Sequence, residues 1–497
     1  MGIIRTQAIK STVFIYFGVF LGFLNAAVLM PFILTTEEIG IISLLAAYTN
    51  VFSNLFAFGL PLITIKLFPR FRELNEPTHN GFFSFAALTT VIGVISGVIA
   101  FLLIKEVLIS GKNSAGQFAP FIYTFMALFT LRLVFKNFDP LIRMLYNTVL
   151  GSFTENFLLK FLISITLIFF WLLKDYDFTI LFILYAIALS SPGIVSVFYL
   201  IKAGQINFQF RKFKKHAAKM KKEILSLGLY GLLGSAGGII VLEVDKMMVG
   251  NLLGISETGI YTTAFFFGLF VSIPSKGIKR ASAVVVSDAW HNNDVTTIKS
   301  VYYKSCLNQF LFAVYLFLGV WMNIDYIFEI LPNEYALGKY VVLYIGLAQV
   351  FDMVTGTNNE IISSSPHYKL NTYFTASLII LVIGLNYLFI PLYGITGAGL
   401  ASCLAIMIIN LGRFIFLNRI LKYQPLDFKI IMILICGIFC YLIGTLVLPD
   451  FANPYLNILV QGTVLTLIYW TILLALKVSE DVDSICTQIL NTIRSKN

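Results

Sequence analysis

Charge is what this sequence has least of. Only 12% of its 497 residues are Asp, Glu, Lys or Arg, whereas a soluble domain carries about 25%. Long polar segments are also missing, which excludes a soluble domain inserted between hydrophobic stretches. Regular alternation of apolar and polar residues is missing too, which excludes a transmembrane β-barrel. With a mean hydropathy of +0.87, the chain is predicted to be an all-α integral membrane protein.

Side chains that carry enzyme chemistry are scarce as well. The four histidines lie scattered near predicted loops without metal-ligand spacing, and no glycine-rich phosphate loop follows a strand. Cys436 and Cys440 share one apolar run, and we interpret the cysteines as small apolar fillers, with a disulfide or metal pair as the alternative. The sequence therefore predicts no enzyme, no metal and no cofactor. The five cysteines are Cys306, Cys403, Cys436, Cys440 and Cys486.

Apolar runs recur from end to end and predict fourteen transmembrane helices. The first is too long for a signal-peptide core and has no small-residue cleavage site after it, so we expect a retained helix. The predicted spans are 11–34, 39–66, 81–104, 118–140, 157–173, 178–201, 224–250, 259–280, 303–323, 338–362, 370–391, 395–417, 429–448 and 455–476.

Lysine and arginine alternate between the connections in a way that orients these spans. Arg5 and Lys10 precede the first span, and every even-numbered connection is basic, most of all 202–223. By the positive-inside rule both termini are cytoplasmic. The net charge of +10 is thus a topology signal, and no nucleic-acid partner is expected. Phe208, Phe210 and Phe213 also make 202–223 a candidate segment on anionic headgroups, the alternative being a topogenic loop alone.

Two pairs of short matches indicate an internal repeat. "EIGI" (38–41) resembles "ETGI" (257–260), and "LPLITIK" (60–66) resembles "IPSKGIK" (273–279). We therefore predict two six-helix lobes that are pseudo-symmetric, followed by two extra C-terminal helices. The predicted boundaries are 1–201 for the first lobe, 202–223 for a basic cytoplasmic loop, 224–417 for the second lobe, and 418–497 for spans thirteen and fourteen with a cytoplasmic tail.

The repeat also aligns two prolines inside predicted spans, Pro61 and Pro274. Each is expected to remove a backbone hydrogen bond and kink its helix. Equivalent positions in both lobes favour a hinge for alternating access, with a static packing kink as the alternative.

Charges within spans are candidates for function because they are costly in lipid. Lys66, Lys279, Arg132 and Arg413 are candidate substrate-binding cations; all except Arg132 could instead snorkel to the inner interface, and Arg132 is expected in a polar cavity. Asp352 lies near mid-membrane and must be paired, protonated or in water.

Span seven contains three charges in "VLEVDKMMVGNLLG" (241–254). Glu243 and Lys246 share a helix face at a spacing of three and can pair. Asp245 points elsewhere and must face another helix or a cavity. We therefore interpret Asp245 and Asp352 as candidates for ion coupling or for a contact between lobes.

Two longer stretches carry a family resemblance. "YGLLGSAGGIIVLEVDKMMVGNLLGISETGIYTTAFFF" (230–267) resembles the seventh-to-eighth-span region of bacterial polysaccharide flippases, matching their pattern at Asp245, Gly250, Gly254, Gly259, Ile260 and Tyr261. "PLYGITGAGLAS" (391–402) with "NLGRF" (410–414) resembles their eleventh-to-twelfth-span region. These flippases belong to the multidrug/oligosaccharidyl-lipid/polysaccharide exporter superfamily.

The resemblance implies a multi-pass flippase of the bacterial cytoplasmic membrane. Such proteins carry polyprenyl-diphosphate-linked oligosaccharides to the outer leaflet by alternating access, for O-antigen, capsule or exopolysaccharide synthesis. It implies membrane lipids, H⁺ or Na⁺ and glycan polymerases as partners. A cationic cavity suits this substrate, since a diphosphate loses its hydration in hydrocarbon.

Three alternatives stay open. A peptidoglycan-precursor flippase shares these features. A multidrug exporter of the same superfamily would prefer an acidic cavity for cationic drugs. A non-transporting scaffold of a glycan-assembly complex would have little use for Asp352 and Arg132.

Overall fold

A computed structural model describes residues 2–72, 78–109, 121–173, 177–484 and 487–488. Every regular element among them is helical. The chain divides into two compact units, Met1–Thr262 and Thr263–Asn497. The lobes at 1–201 and 224–417 stay a prediction from the repeat.

Among its described residues, the first unit contains eleven α-helices, the first half of a twelfth, and two π-helical segments, Leu24–Leu29 and Ser152–Leu158. The α-helices are α1 (Gly2–Phe23), α2 (Met30–Ile33), α3 (Thr36–Leu55), α4 (Leu60–Phe71), α5 (Phe82–Ile109), α6 (Ile122–Met144), α7 (Thr148–Gly151), α8 (Leu159–Leu173), α9 (Phe178–Lys202), α10 (Phe210–Ala217) and α11 (Lys221–Leu252), followed by α12 (Ile255–Phe270), which crosses the boundary.

The second unit contains the remaining helices. They are α13 (Ile273–His291), α14 (Val295–Trp321), α15 (Ile324–Ile330), α16 (Lys339–Val354), α17 (Asn358–Ser364), α18 (Tyr368–Tyr393), α19 (Ile395–Leu421), α20 (Phe428–Leu446) and α21 (Pro454–Ala475). The predicted span 338–362 is not continuous, because the turn at Gly356 (φ 64°) separates α16 from α17.

Eleven described helices are long and apolar enough to cross a membrane, and two bent helix pairs bring the number to thirteen. Helix α6 overlaps most of the predicted fourth span, 118–140, and its 23 residues are sufficient in length to cross a membrane. It carries Arg132, Lys136, Asp139 and Arg143, which is more charge than a typical span contains. The all-helical membrane fold is confirmed, and the count of fourteen with cytoplasmic termini stays a prediction.

The first bent pair is α3 and α4, which meet at 41°. Helix α3 begins with a capping box, in which Thr35 and Glu38 satisfy each other's backbone N–H groups. Its C-terminal end gives way to a turn through Phe58 (φ 50°) and Gly59 (φ 69°). The expectation that Pro61 sits inside a helix is wrong: it lies in the first turn of α4, where a missing N–H costs nothing.

The second bent pair is α12 and α13, which meet at 56°. Pro274 again lies in the first turn of the following helix, so its predicted interior position is also wrong. The two breaks therefore precede the prolines, and the prolines start new helices instead of kinking old ones.

The glycines of the matched "EIGI" and "ETGI" segments make a reciprocal contact. A β-carbon on Gly40 would lie 2.0 Å from the carbonyl oxygen of Ile255, and one on Gly259 would lie 1.9 Å from that of Thr36. The hydroxyls of Thr36 and Ser256 hydrogen-bond at 2.8 Å beside them. The starts of α3 and α12 thus touch backbone to backbone, as two segments of a repeat would.

The basic segment 202–223 includes the short helix α10. Its Phe213 ring stacks on Phe85 of α5, with centroids 4.6 Å apart. Phe208 and Phe210 are exposed, as are Arg211 and Lys215. The stacking of Phe213 on Phe85 thus holds α10 against α5, and the exposed side of this segment carries both cationic and apolar side chains.

The two C-terminal helices α20 and α21 pack on α14. Their shared core includes Cys436, Cys440 and Tyr469, and the Tyr469 hydroxyl donates to the carbonyl oxygen of Leu311 at 2.8 Å. Four cysteines, at 306, 403, 436 and 440, are free and buried. Cys486 lies outside the described residues.

Candidate functional site

In the second unit, two candidate residues with different predicted roles form one ion pair. Lys279 of α13 donates to the Oδ2 atom of Asp352 of α16 at 2.5 Å. Each side chain is about one quarter exposed, at 23% and 24%. The Asp352 carboxylate is therefore paired, which is one of the three states expected of it.

Helix α19 completes this network. Asn410 donates to Oδ1 of Asp352 at 3.1 Å, and Asn358 of α17 donates to Oδ1 of Asn410 at 3.2 Å. Arg413, one turn beyond Asn410, is buried, and its guanidinium carbon lies 5.9 Å from the centroid of the Phe374 ring. We call Lys279, Asp352, Asn358 and Asn410 the second-unit network.

Lys66 does not share the environment of its repeat counterpart Lys279. The buried stripe of α4 runs through Leu60, Ile63, Thr64, Leu67, Phe68 and Phe71, and Lys66 lies off it. The Lys66 side chain is exposed and has no ion-pair partner within the part of the chain that the structure describes. Lys66 and Lys279 therefore occupy equivalent positions along α4 and α13, as the repeat predicts. Their surroundings are different.

Arg132 lines a cavity in the first unit, as expected. The cavity measures about 240 Å³, and the Nη2 atom of Arg132 donates to Oε1 of Glu155 at 2.8 Å. Its walls come from α3, α6, the π-helical segment Ser152–Leu158, α8 and α9. The lining residues are Ala46, Thr49, Asn50, Leu128, Arg132, Glu155, Asn156, Leu159, Lys160 and Leu189.

Sequence reasoning missed two charged residues of this cavity, Glu155 and Lys160. Lys160 lies inside the predicted span 157–173, and Glu155 lies two residues before it. The rule that charges in spans are functional candidates would have found Lys160. Glu155 was missed because the membrane helix begins at Thr148, before the predicted span does, and Glu155 lies in its π-helical segment.

The three charged side chains of span seven have the partners that their spacing predicted. Lys246 donates to Oε2 of Glu243 at 2.8 Å, which confirms the local pair. Asn50 of α3 also donates to Glu243, at 2.9 Å. Asp245 points to another helix: its Oδ2 atom accepts a hydrogen bond from the Tyr261 hydroxyl of α12 at 2.8 Å.

Asp245 and Tyr261 are both among the residues that carry the family resemblance, and both are fully buried, with 1% and 0% of their surfaces exposed. Their contact ties the end of α11 to the start of α12 across the turn at Gly254 (φ 145°). A structural contact is thus available for Asp245, and its predicted part in ion coupling stays a prediction.

We expect Tyr261→Phe to lower the melting temperature of the purified protein clearly. The substitution removes one donor from a buried carboxylate, and a hydrogen bond to a charged group contributes roughly 1.5–3 kcal/mol. Tyr302→Phe is the matched control, since the Tyr302 hydroxyl is buried without a hydrogen-bond partner among the described residues. Equal melting temperatures for the two variants would show that the Asp245 contact adds nothing to stability.

No group of three His, Cys, Asp or Glu side chains in the described ranges is arranged to hold a metal ion.

Two protein-family sequence models together match most of the chain. Residues 7–286 match the sequence model of the family described as polysaccharide biosynthesis protein. Residues 238–388 match that of the MatE family.

Two curated relatives are distant. The "probable low-salt glycan biosynthesis flippase Agl15" of Haloferax volcanii is 23% identical over 193 residues, which are 39% of this chain and 41% of the relative. This chain therefore aligns with less than half of that relative's length. An uncharacterized membrane protein of Methanocaldococcus jannaschii is 23% identical over 465 residues, 85% of each chain.

Solved structures share the fold. The lipid II flippase MurJ in an inward closed conformation superposes with a TM-score of 0.73 at 16% identity, over 95% of this chain and 100% of that one. An inward-facing multidrug resistance MATE transporter gives a TM-score of 0.65 at 13% identity, over 83% and 98%. At such identities the likeness establishes the fold alone.

The family match extends over more than half of the chain, and it agrees with the helical membrane fold and with the charged side chains buried within it. The chain belongs to the polysaccharide biosynthesis protein family.

Proposed function

We propose that this protein is a flippase and carries polyprenyl-diphosphate-linked oligosaccharides from the inner to the outer leaflet of the cytoplasmic membrane by alternating access. The glycan would serve O-antigen, capsule or exopolysaccharide synthesis, with a glycan polymerase downstream. The observation that carries this proposal is the set of cations placed on membrane helices: Lys66, Arg132, Lys279 and Arg413.

A diphosphate needs compensating charge wherever it leaves water. Lys66 is exposed and available to meet it. Arg413 is buried, and Lys279 is held by Asp352. A diphosphate that bound Lys279 would compete with Asp352, and the released carboxylate could then take up H⁺ or Na⁺. The Lys279–Asp352 ion pair would thus take part in both substrate binding and ion coupling.

The same cations argue against the alternative of exporting cationic drugs, because like charges would repel them. A peptidoglycan precursor also carries a polyprenyl diphosphate, so the cations alone do not distinguish it. The two substrates differ in their glycan headgroups. The rates at which the protein translocates the two lipids must therefore be compared.

The test is translocation in proteoliposomes that contain a fluorescent polyprenyl-diphosphate-linked trisaccharide. We expect the wild-type protein to expose it to the opposite leaflet, and the double variant Lys66→Gln, Lys279→Gln to lose translocation at least tenfold, since each lysine contributes about one charge-assisted contact of 1.5 kcal/mol or more. Lys369→Gln, at the start of α18, removes a lysine outside the candidate set and serves as the control.

Three results would contradict the proposal. Full activity of the double variant would remove the lysines from the mechanism. Faster translocation of lipid II than of the trisaccharide lipid would favour a peptidoglycan-precursor flippase. Uptake of ethidium without translocation of either lipid would favour a multidrug exporter.

A further inference from the structure

The first-unit cavity contains two polar groups whose hydrogen bonds are unmade. Thr49 is only 5% exposed, and its hydroxyl has no hydrogen-bond partner among the residues described. The Nη1 atom of Arg132 is buried and equally without a partner, while Nη2 is occupied by Glu155. Buried polar groups in native proteins are nearly always paired. Both groups lie on the cavity wall, so the cavity is suited to an occupant that forms hydrogen bonds.

The wall offers donors and acceptors together. Arg132 and Lys160 donate, the Glu155 carboxylate accepts, and the hydroxyl of Thr49 can do either. Because Arg132 and Lys160 are both cationic, they repel a metal ion or any other positively charged occupant of the cavity. The carboxylate disfavours a bare phosphate or chloride ion. A neutral group that carries several hydroxyls satisfies both conditions.

Apolar surface forms the rest of the wall, from Ala46, Leu128, Leu159 and Leu189. A pyranose ring presents hydroxyls around its edge and C–H groups on its faces, which matches this division. The volume of about 240 Å³ is far more than one water molecule requires and lies below the range of roughly 300–1,000 Å³ for drug-sized ligands. It therefore suits one ring and excludes a whole oligosaccharide.

The backbone at the cavity is unusual as well. Glu155 and Asn156 project from the π-helical segment Ser152–Leu158. π-Helical turns are rare and frequently occur at functional sites, because they reorient side chains that a regular helix would place elsewhere.

We propose that this cavity is a binding site for a single sugar residue of the glycan headgroup, with Thr49, Arg132 and Glu155 as its polar contacts. The inference rests on the proposed function for the source of the sugar. It adds a subsite inside the first unit that recognises the headgroup separately from the diphosphate.

The test uses the full-length protein in lipid nanodiscs and a panel of methyl glycosides: glucoside, galactoside, N-acetylglucosaminide and glucuronide. A ligand that binds the folded state stabilises it by RT ln(1 + [L]/Kd), so the melting temperature rises with the ligand concentration. We expect at least one glycoside to raise the melting temperature in this concentration-dependent way. Inorganic phosphate and sodium chloride, matched for ionic strength, are expected to have no such effect.

Two variants locate the binding. Thr49→Val removes the hydroxyl at nearly constant volume and should weaken glycoside binding about fivefold, the effect of one hydrogen bond. Ala46→Leu fills the cavity and should abolish binding while preserving the fold. Thr64→Val is the matched control, because the Thr64 hydroxyl is also buried without a hydrogen-bond partner among the described residues but does not line the cavity.

The proposal is overturned if no glycoside binds, if phosphate alone stabilises the protein, or if Ala46→Leu binds as wild type does. Translocation measured in the same preparations separates the two proposals. Glycoside binding without translocation of any lipid-linked glycan would refute the proposed function and keep the sugar site. Translocation by an Ala46→Leu variant at the wild-type rate would refute the sugar site and keep the function.

Discussion

The double variant Gly40→Ala, Gly259→Ala is expected to leave almost no folded protein in the membrane. Each new β-carbon would lie 1.9–2.0 Å from a backbone carbonyl oxygen, and a helix backbone cannot yield as a side chain can. Overpacking costs about 1–3 kcal/mol per site, and contacts this short lie at the upper end. Two sites together would remove roughly 6 kcal/mol, comparable to the 5–15 kcal/mol that stabilises a folded protein.

The measurement is the yield of monodisperse protein by size-exclusion chromatography of a fluorescent fusion. Gly384→Ala and Gly462→Ala, separately and together, are the controls, since a β-carbon at either position meets nothing within 4 Å. Alanine at these two helical sites should be neutral or slightly stabilising. Normal yield from the Gly40, Gly259 variant would show that α3 and α12 do not require close approach.

Lys279→Gln is expected to destabilise the protein by about 2 kcal/mol, because it leaves Asp352 charged and without its cation. Removing one partner of a fully buried ion pair costs roughly 3–5 kcal/mol, and this pair is about one quarter exposed, which reduces the effect. Asn410 would still donate to Asp352. Thermal unfolding of the purified variant measures the loss.

The second substitution Asp352→Asn, added to Lys279→Gln, should recover most of that stability, because it removes the isolated charge. Translocation of the trisaccharide lipid should stay low in the double variant, since the cation is still absent. A double-mutant cycle across the two positions gives their coupling free energy. Additive losses would mean that the pair is not a unit, and restored translocation would mean that Lys279 serves stability alone.

The sequence predicts contacts well where spacing alone determines them. Glu243 and Lys246 are three residues apart, so helix geometry places them together before any tertiary structure is known. Lys279 and Asp352 are separated by 73 positions, and no periodicity relates them. The membrane helices themselves were predictable because a backbone in lipid must satisfy its hydrogen bonds within one segment.

Departures from regular helix were the harder part to predict. We predicted helix kinks at the prolines, but the helices break before them. In the first pair, the chain turns at Phe58 and Gly59, and Pro61 lies in the first turn of the next helix, α4. The π-helical segment that carries Glu155 depends on packing against α1, α8 and α9, which sequence spacing does not encode. Arg132 was recognised by its charge, whereas its partner Glu155 lay outside the predicted span.

The buried cysteines have a practical consequence for studying transport. Because the thiols at 306, 403, 436 and 440 are enclosed in the helix packing, they should react slowly with aqueous labelling reagents. Reporter thiols can then be introduced at exposed positions of α4 such as Ile65, with these four cysteines left in place. Spin or fluorescent probes placed there could record the motion of α4 during turnover without dismantling the interior of the protein.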